Sequence, residues 1–243
     1  MHKLGFVTLL ILGCLIHTAK AELIVIAVSG TDSFTPGSNL DPGQPIVVPE
    51  GARITVLSKS GEMRVIDGPH SDAFASGEQQ NTSSEPSGQW NAVKSFMGQP
   101  GTRSEVLGVS RNIDSGVPPT PGVWQVSVDS SGPRCTQASQ LTLWRRNAEK
   151  EQQVSIRSAS NKFKDLNWKA GNEELVLPDQ FVVEEGRMVV SLDGDLRDLE
   201  MHVMPEQNQD LGSGSLLTWL IEKQCNRQAL SLIESVHRGN NTN

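Results

Sequence analysis

The sequence predicts a mainly β protein, an antiparallel β-sandwich or a set of small β modules, closed by a C-terminal helical segment. Three observations predict it. Between residues 122 and 204 short apolar stretches alternate at period two and are separated by Gly, Asp, Asn and Pro. Before them, VVPEGARITVLSKSGEMRVIDGPHSD, residues 47–72, reads as one complete hairpin with its turn. Near the end, SLLTWLIEKQCNRQALSLIESV contains no Gly or Pro and carries its apolar residues at spacings of three and four. The long amphipathic crossover helices that a parallel sheet requires are missing.

Taken in order, residues 1–21 have the layout of a secretory signal peptide. A basic start precedes an apolar run from Leu4 to Ile16, and small residues stand at Ala19 and Ala21. The run is shorter than the roughly 20 residues of a membrane span. The mature chain is expected to begin at Glu22, and the protein to be periplasmic or secreted. Cys14 follows Ile11, Leu12 and Gly13 in loose likeness to a lipoprotein site, but bulky Leu12 and the apolar Leu15 and Ile16 argue against it. Membrane attachment is expected only if Cys14 is lipidated.

Residues 22–70 form the first β region. ELIVIAVSG is apolar throughout, as in a strand buried on both sides, and TDSFTPGSNLDPGQP is turn material. In the hairpin, Ile54 and Val56 alternate with Arg53 and Thr55, and Met63 and Val65 flank Arg64, so each strand is predicted to have one apolar face. Ser58-Lys59-Ser60-Gly61 supplies the turn. Pro49-Glu50-Gly51 and Asp67-Gly68-Pro69 close the ends. Residues 71–121 are rich in Ser, Gly, Gln, Asn and Pro and read as a polar connector. Within it Trp90, Val93 and Met97 have helical spacing, predicting a short helix near 89–97 that caps a sheet edge, and Val106 and Val109 suggest an extended piece.

Residues 122–204 form the second β region. Strands are predicted around Trp124, Val126 and Val128, Leu141 and Leu143, Val154 and Ile156, Leu166 and Trp168, and Leu175 and Leu177. Two more surround Met188, Val190 and Leu192, and then Leu199, Met201 and Val203, with Asp193-Gly194 as the turn between them. Whether the two β regions form one sheet system or two domains stays open. Over 213–237, Leu217, Ile221, Cys225, Ala229, Leu232 and Val236 mark one stripe, on one kinked helix or on a two-helix hairpin with Asn226 as a cap. Residues 238–243 are expected to be a mobile tail.

The formal charge is −7, and loss of residues 1–21 with Lys3 and Lys20 makes it −9. A chain this acidic, with no basic stripe, gains no counterion-release energy from nucleic acid, which is excluded as a partner. Two cysteines remain after Cys14, and Cys135 with Cys225 is expected to form a disulfide. The loop of about ninety residues that it closes would restrict the unfolded chain by roughly 4 kcal/mol. A catalytic thiol needs a histidine partner and zinc needs two further ligands at suitable spacing. Neither accompanies these cysteines, and no metal or cofactor is expected.

The segment from Leu23 to Pro69 resembles the periplasmic part of FecR-type proteins, through the phrase LDPGQPIVVPEGARITVLSKSGEMRVIDGP. The matching positions are Gly43, Pro49, Gly51, Ala52, Gly61, Gly68 and Pro69, about a fifth of the chain being covered. FecR-type proteins relay the occupancy of an outer-membrane transporter to a cytoplasmic sigma factor. The only apolar run here is the cleavable start, with no sigma-binding segment ahead of it, so the resemblance implies a periplasmic interaction module and not the relay. The second half is similar to that of exported bacterial proteins that join such a hairpin to a tryptophan-bearing β region and a cysteine-containing C-terminal helix. The corresponding residues are Trp124, Cys135, Trp144, Trp168 and Cys225.

Candidate sites are few. In DGPHSD, His70 stands between Asp67 and Asp72, a grouping suited to a divalent cation or to general base chemistry, although Asp beside Gly-Pro is commonly a turn former. His202 is expected on the solvent face of its strand, and His237 at a frayed helix end where a cation favours the dipole. Asp193, Asp195 and Asp198 resemble a calcium loop but lack its spacing and terminal Glu. GSGSL at 212–216 is a flexible approach to a helix, not a nucleophile elbow. Trp144, Arg145 and Trp90 are the candidate binding surface, where indole would stack on a sugar or on a partner's side chains. Sequons begin at Asn81 and Asn240. The expected function is a non-enzymatic protein-interaction or sensor-accessory module with an envelope protein as partner. A cell-wall glycan binder, or an exported hydrolase using His70, is the alternative.

Overall fold

The computed structural model describes residues 23–41, 43–73, 87–99, 121–206 and 211–239. The expected signal peptide with Cys14, Asn81, Val106, Val109 and Asn240 lie outside the described residues. Strand outweighs helix, 38% against 18%, so the chain is mainly β as the alternating pattern predicts.

The apolar run LIVIAVS forms β1 (Leu23–Ser29), buried along nearly its whole length. It pairs antiparallel with β2 (Asn39–Leu40) and with β3 (Arg53–Ser58), and β3 pairs with β4 (Met63–Asp67) to give the sheet order β2-β1-β3-β4. The hairpin turn falls where predicted. Gly61 has φ 84°, its N–H donates to the Ser58 carbonyl at 2.9 Å, and the Ser58 N–H donates to the Glu62 carbonyl at 2.8 Å. The prediction of one apolar face on β3 needs correction, because Thr55 and Leu57 are as buried as Ile54 and Val56. Leu23, Val25, Ile54, Val56 and Ile66 pack with Ile46 and Val48 on one side. Ile24, Ile26 and Leu57 point to the other, where helices cover them.

The second region contributes β5 (Gln125–Ser127), β6 (Gly132–Thr136), β7 (Thr142–Trp144), β8 (Gln152–Arg157), β9 (Lys162–Trp168), β10 (Glu174–Val176), β11 (Gly186–Leu192) and β12 (Asp195–Val203). They form a three-stranded sheet, β10-β7-β5, and a five-stranded sheet, β6-β12-β11-β8-β9. Val126 and Leu143 of the first meet Val154, Ile156, Trp168, Val190 and Leu199 of the second in one apolar core, the arrangement of a sandwich. The sheets are not wholly antiparallel, since β5 runs parallel to β7 and β6 parallel to β12. Strand β6 is absent from the sequence reading because Gly132-Pro133 looks like a break. It lies at a sheet edge, where a proline without an N–H is tolerated. Asp193 and Gly194, at φ 50° and 99°, make the expected turn between β11 and β12.

The helices are α1 (Ser87–Gly98), α2 (Ser213–Glu222) and α3 (Asn226–His237). Of the two alternatives for the C-terminal segment, the structure has two helices, broken at Gln224 with φ 58°. Cys225 takes the N-cap position and Asn226 is the first helical residue, so Asn226 is not the cap. Helix α1 packs against α2, and its Trp90, Val93, Phe96 and Met97 join the core that covers Ile24, Ile26 and Leu57 of the first sheet. GSGSL is not merely flexible. A Cβ on Gly214 would lie 1.9 Å from the Gly61 carbonyl oxygen, so the start of α2 rests directly on the hairpin turn. Val93, Phe96, Leu217, Leu220 and Leu232 join Ile24, Ile26 and Leu57 of the first sheet to Val123, Cys135 and Met204 of the second region in a shared core. The two β regions each have their own core, and the helices fill a third between them.

Candidate functional site

Helix α3 joins the β regions through its two ends. At the first end Cys225 is disulfide-bonded to Cys135 of β6, with Cα atoms 5.9 Å apart and 90 residues between them in sequence. One turn further, the buried Gln228 side chain accepts a hydrogen bond from the Cys135 N–H at 2.8 Å. It donates to the Cys135 and Val123 carbonyls at 2.6 Å each. The amide thus pairs with the open edge of β6 as another strand would. Ser231, on the next turn, donates its hydroxyl to the Pro121 carbonyl.

At the other end His237 is 1% exposed. Its Nδ1 lies 2.8 Å from Thr55 Oγ1 and its Nε2 3.0 Å from Ser29 Oγ, while Arg53 donates to its carbonyl at 3.0 Å. Arg53 is itself held by Asp67, and Arg238 by Glu234. Burial pushes the His237 pKa down to about 4, the Arg53 charge adds to the effect, and Asp67 opposes it. The expectation of a charged residue at a frayed end is therefore corrected. The imidazole is neutral and interior, and at pKa about 4 it is a poor general base for the Ser29 hydroxyl beside it. An open groove of about 560 Å³ runs alongside, bordered by Gly51, Arg53, Asp67, Gly68 and Arg238.

The remaining candidates behave differently from their sequence reading. His70 exchanges backbone hydrogen bonds with Val48 at 2.9 and 3.0 Å, Asp67 is taken by Arg53, and exposed Asp72 accepts the Ile46 N–H through its carbonyl. These three residues do not converge. Among the described residues no group of three His, Cys, Asp or Glu is placed to hold a metal, and no described helix is long and apolar enough to cross a membrane. Asp198 forms a two-pronged pair with Arg187, and Asp193 accepts the Gln153 N–H, so the calcium-like run is used within the fold. His202 is sheltered, with Nδ1 3.0 Å from Glu185.

The candidate binding surface of Trp144, Arg145 and Trp90 is corrected as well, because all three are buried. Trp144 is the last residue of β7 and is 2% exposed, and Trp90 belongs to the shared core. Arg145 stacks on Trp168 at 4.7 Å and donates to Gln152 at 2.8 Å and to the Asn172 and Lys169 carbonyls at 3.1 and 2.7 Å. Its charge serves the interior of the fold. Sequence reasoning passed over Gln228, a polar residue inside the apolar stripe of α3. Its position between Cys225 and Leu232 was the available sign that a buried amide had a partner.

Fold and fastenings together define the class: a mainly β protein whose two β regions are clasped by a disulfide-anchored helical layer. No protein family, curated protein or solved structure matches the chain. The positions carrying the FecR-like resemblance have local physical reasons. Gly43, Gly51 and Gly61 have φ of 84°, 76° and 84°, a Cβ on Gly68 would lie 1.7 Å from the Pro49 carbonyl oxygen, and Ala52 is buried.

Proposed function

We propose that the protein is an exported, non-enzymatic interaction module that takes a strand from an envelope protein onto the outer edge of β4. The open edge of the hairpin carries this reading. The bonds from Ser58 N–H to the Glu62 carbonyl and from Gly68 N–H to the Ala52 carbonyl fix the ladder alternation. Glu62, Arg64, Ile66 and Gly68 therefore turn their backbone groups toward β3. Met63, Val65 and Asp67 turn theirs outward, and among the described residues no backbone group receives them. Bridges from Val48 to His70 and from Pro45 to Ala73 prolong the ribbon beyond the strand. Such an edge is a template for strand addition. The signal-like residues 1–21 and the disulfide support an oxidising compartment. Trp144 and Trp90, the two tryptophans of the glycan reading, are buried, which favours the strand-addition reading over it.

Val65→Pro removes an outward N–H that the ladder does not use, so it blocks addition while sparing the fold. The expected result is that a partner captured from envelope extract by the wild-type chain is lost with V65P at unchanged circular dichroism. Capture that survives V65P, or no capture by the wild type, overturns the reading.

A further inference from the structure

We infer that the strand received by β4 is short and one-sided, about five residues long, with apolar side chains toward the helical layer and polar ones away from it. The inference rests on the strand-addition reading and adds which kind of partner segment the edge selects. Among the described residues the sheet edges treat a newcomer differently. Strand β9 is blunted by exposed Lys162 and Lys164 and by a register shift where Asp165 has φ 54°. At the edge of β6 the Gln228 amide occupies the Cys135 N–H and carbonyl. Strands β2, β5 and β10 have only two or three residues each. By contrast, β4 has five residues in unbroken register with β3 and contains neither lysine nor proline.

The length follows from the two ends of β4. Before Met63 the chain turns at Gly61, and the start of α2 rests on that turn. Beyond Asp67 the next outward position is Pro69, because His70 turns inward to Val48, and proline has no N–H to donate. An added strand therefore meets the N–H and C=O groups of Met63, Val65 and Asp67, and the ladder ends there. The side-chain pattern follows from register. Met63 stands opposite Leu57, Val65 opposite Thr55 and Asp67 opposite Arg53, while Thr55 and Arg53 bond to His237 of α3. All three β4 side chains thus lie on the side of the helices. Met63 and Val65 are half-buried there, Met63 packing on the shared core, so their outer flanks are apolar surface that a neighbouring strand can cover. On the other side Ile66 is already buried in the core of the first sheet, and exposed Arg64 pairs with Glu62 at 2.6 Å. Apolar residues two apart in the partner complete the first side, and polar residues between them suit the second.

The test is an NMR titration of the intact, oxidised chain, followed at the amides of β4, with two threonine-based pentapeptides of identical composition. One has two valines separated by a threonine, and the other has the same valines adjacent. The alternating peptide is expected to bind about fivefold or more tightly, because adjacent valines point to opposite faces. Val65→Thr keeps the ladder and should bring the two peptides to equal affinity, whereas Val65→Pro should abolish the binding of both. Doubling the length of the alternating peptide should improve binding by less than about fivefold, since the ladder is already filled. Equal binding of the two pentapeptides, a preference that survives V65T, or a larger gain with length overturns the inference. If V65P still abolishes binding in that case, the strand-addition reading stands without it. Binding that survives V65P, or no saturable binding at all, overturns both. Broadening of the β4 amides on raising chain concentration without peptide places a second copy at the edge and also overturns the inference.

Discussion

At its start α3 is held to β6 by a covalent bond and two amide hydrogen bonds, and to Val123 by a third. At its end it is held to β1 and β3 by an imidazole between two hydroxyls and by one arginine. No group in the first fastening titrates near neutrality, but reduction breaks it. The second is indifferent to reductant, but acid breaks it because a buried imidazole must stay neutral. The same helix therefore gives the two β regions different vulnerabilities, and each can be loosened separately.

Breaking the first fastening should have the largest effect. Cys135→Ser with Cys225→Ser frees a loop of about ninety residues and is expected to lower unfolding free energy by about 4 kcal/mol, read as a lower urea midpoint that reductant no longer changes. Next comes Gln228→Ala with the disulfide intact. It leaves the Cys135 N–H and the Cys135 and Val123 carbonyls without partners and should cost about 3 kcal/mol in the same measurement. An effect below about 1 kcal/mol would show that water replaces the amide readily.

The second fastening is tested by pH. His237 has an ordinary pKa of 6.5 in the unfolded chain and about 4 in the fold, so the unfolded chain binds the extra proton between those values. Its stabilisation is full above about pH 6.5, falls as pH drops toward 4, and is gone below that, a loss of about 2–3 kcal/mol. Urea midpoints of wild type minus His237→Gln, measured from pH 7 to pH 4, should show this slope. A parallel pair of curves would place the imidazole in water. The smallest change lies far from both ends of α3. Arg187→Ala removes an exposed, solvent-screened pair with Asp198 and should leave the urea midpoint nearly unchanged, with or without reductant.

The fold was legible where a strand buries one face. Val154 and Ile156, or Met188, Val190 and Leu192, announce themselves at period two, and Gly61 and Gly194 mark turns because left-handed backbone favours glycine there. Strand β6 was not legible, because what makes Gly132-Pro133 acceptable is its place at a sheet edge, a property of tertiary structure. The fastenings divide in the same way. Two cysteines left after a signal-like start suggest each other without any knowledge of the fold. The fate of His237 depends on Thr55 and Ser29, 182 and 208 residues away, and the local sequence shows only a helix terminus. Trp144-Arg145 misled for a related reason. An aromatic beside cations looks like a recognition patch until β7 is placed inside a sandwich and Arg145 finds Trp168.

The shared core has a consequence for the order of synthesis. Ile24, Ile26 and Leu57 are among the earliest described residues to be made, yet their covering partners Leu217, Leu220 and Leu232 are among the latest. During translation the first sheet can form its strands and its Val25–Ile54 side, but its other face stays bare until the final helices arrive. A nascent chain therefore carries an exposed aliphatic surface for most of its elongation, and a prematurely terminated one carries it permanently. That surface gives chaperones and proteases a physical way to tell the unfinished polypeptide from the finished one.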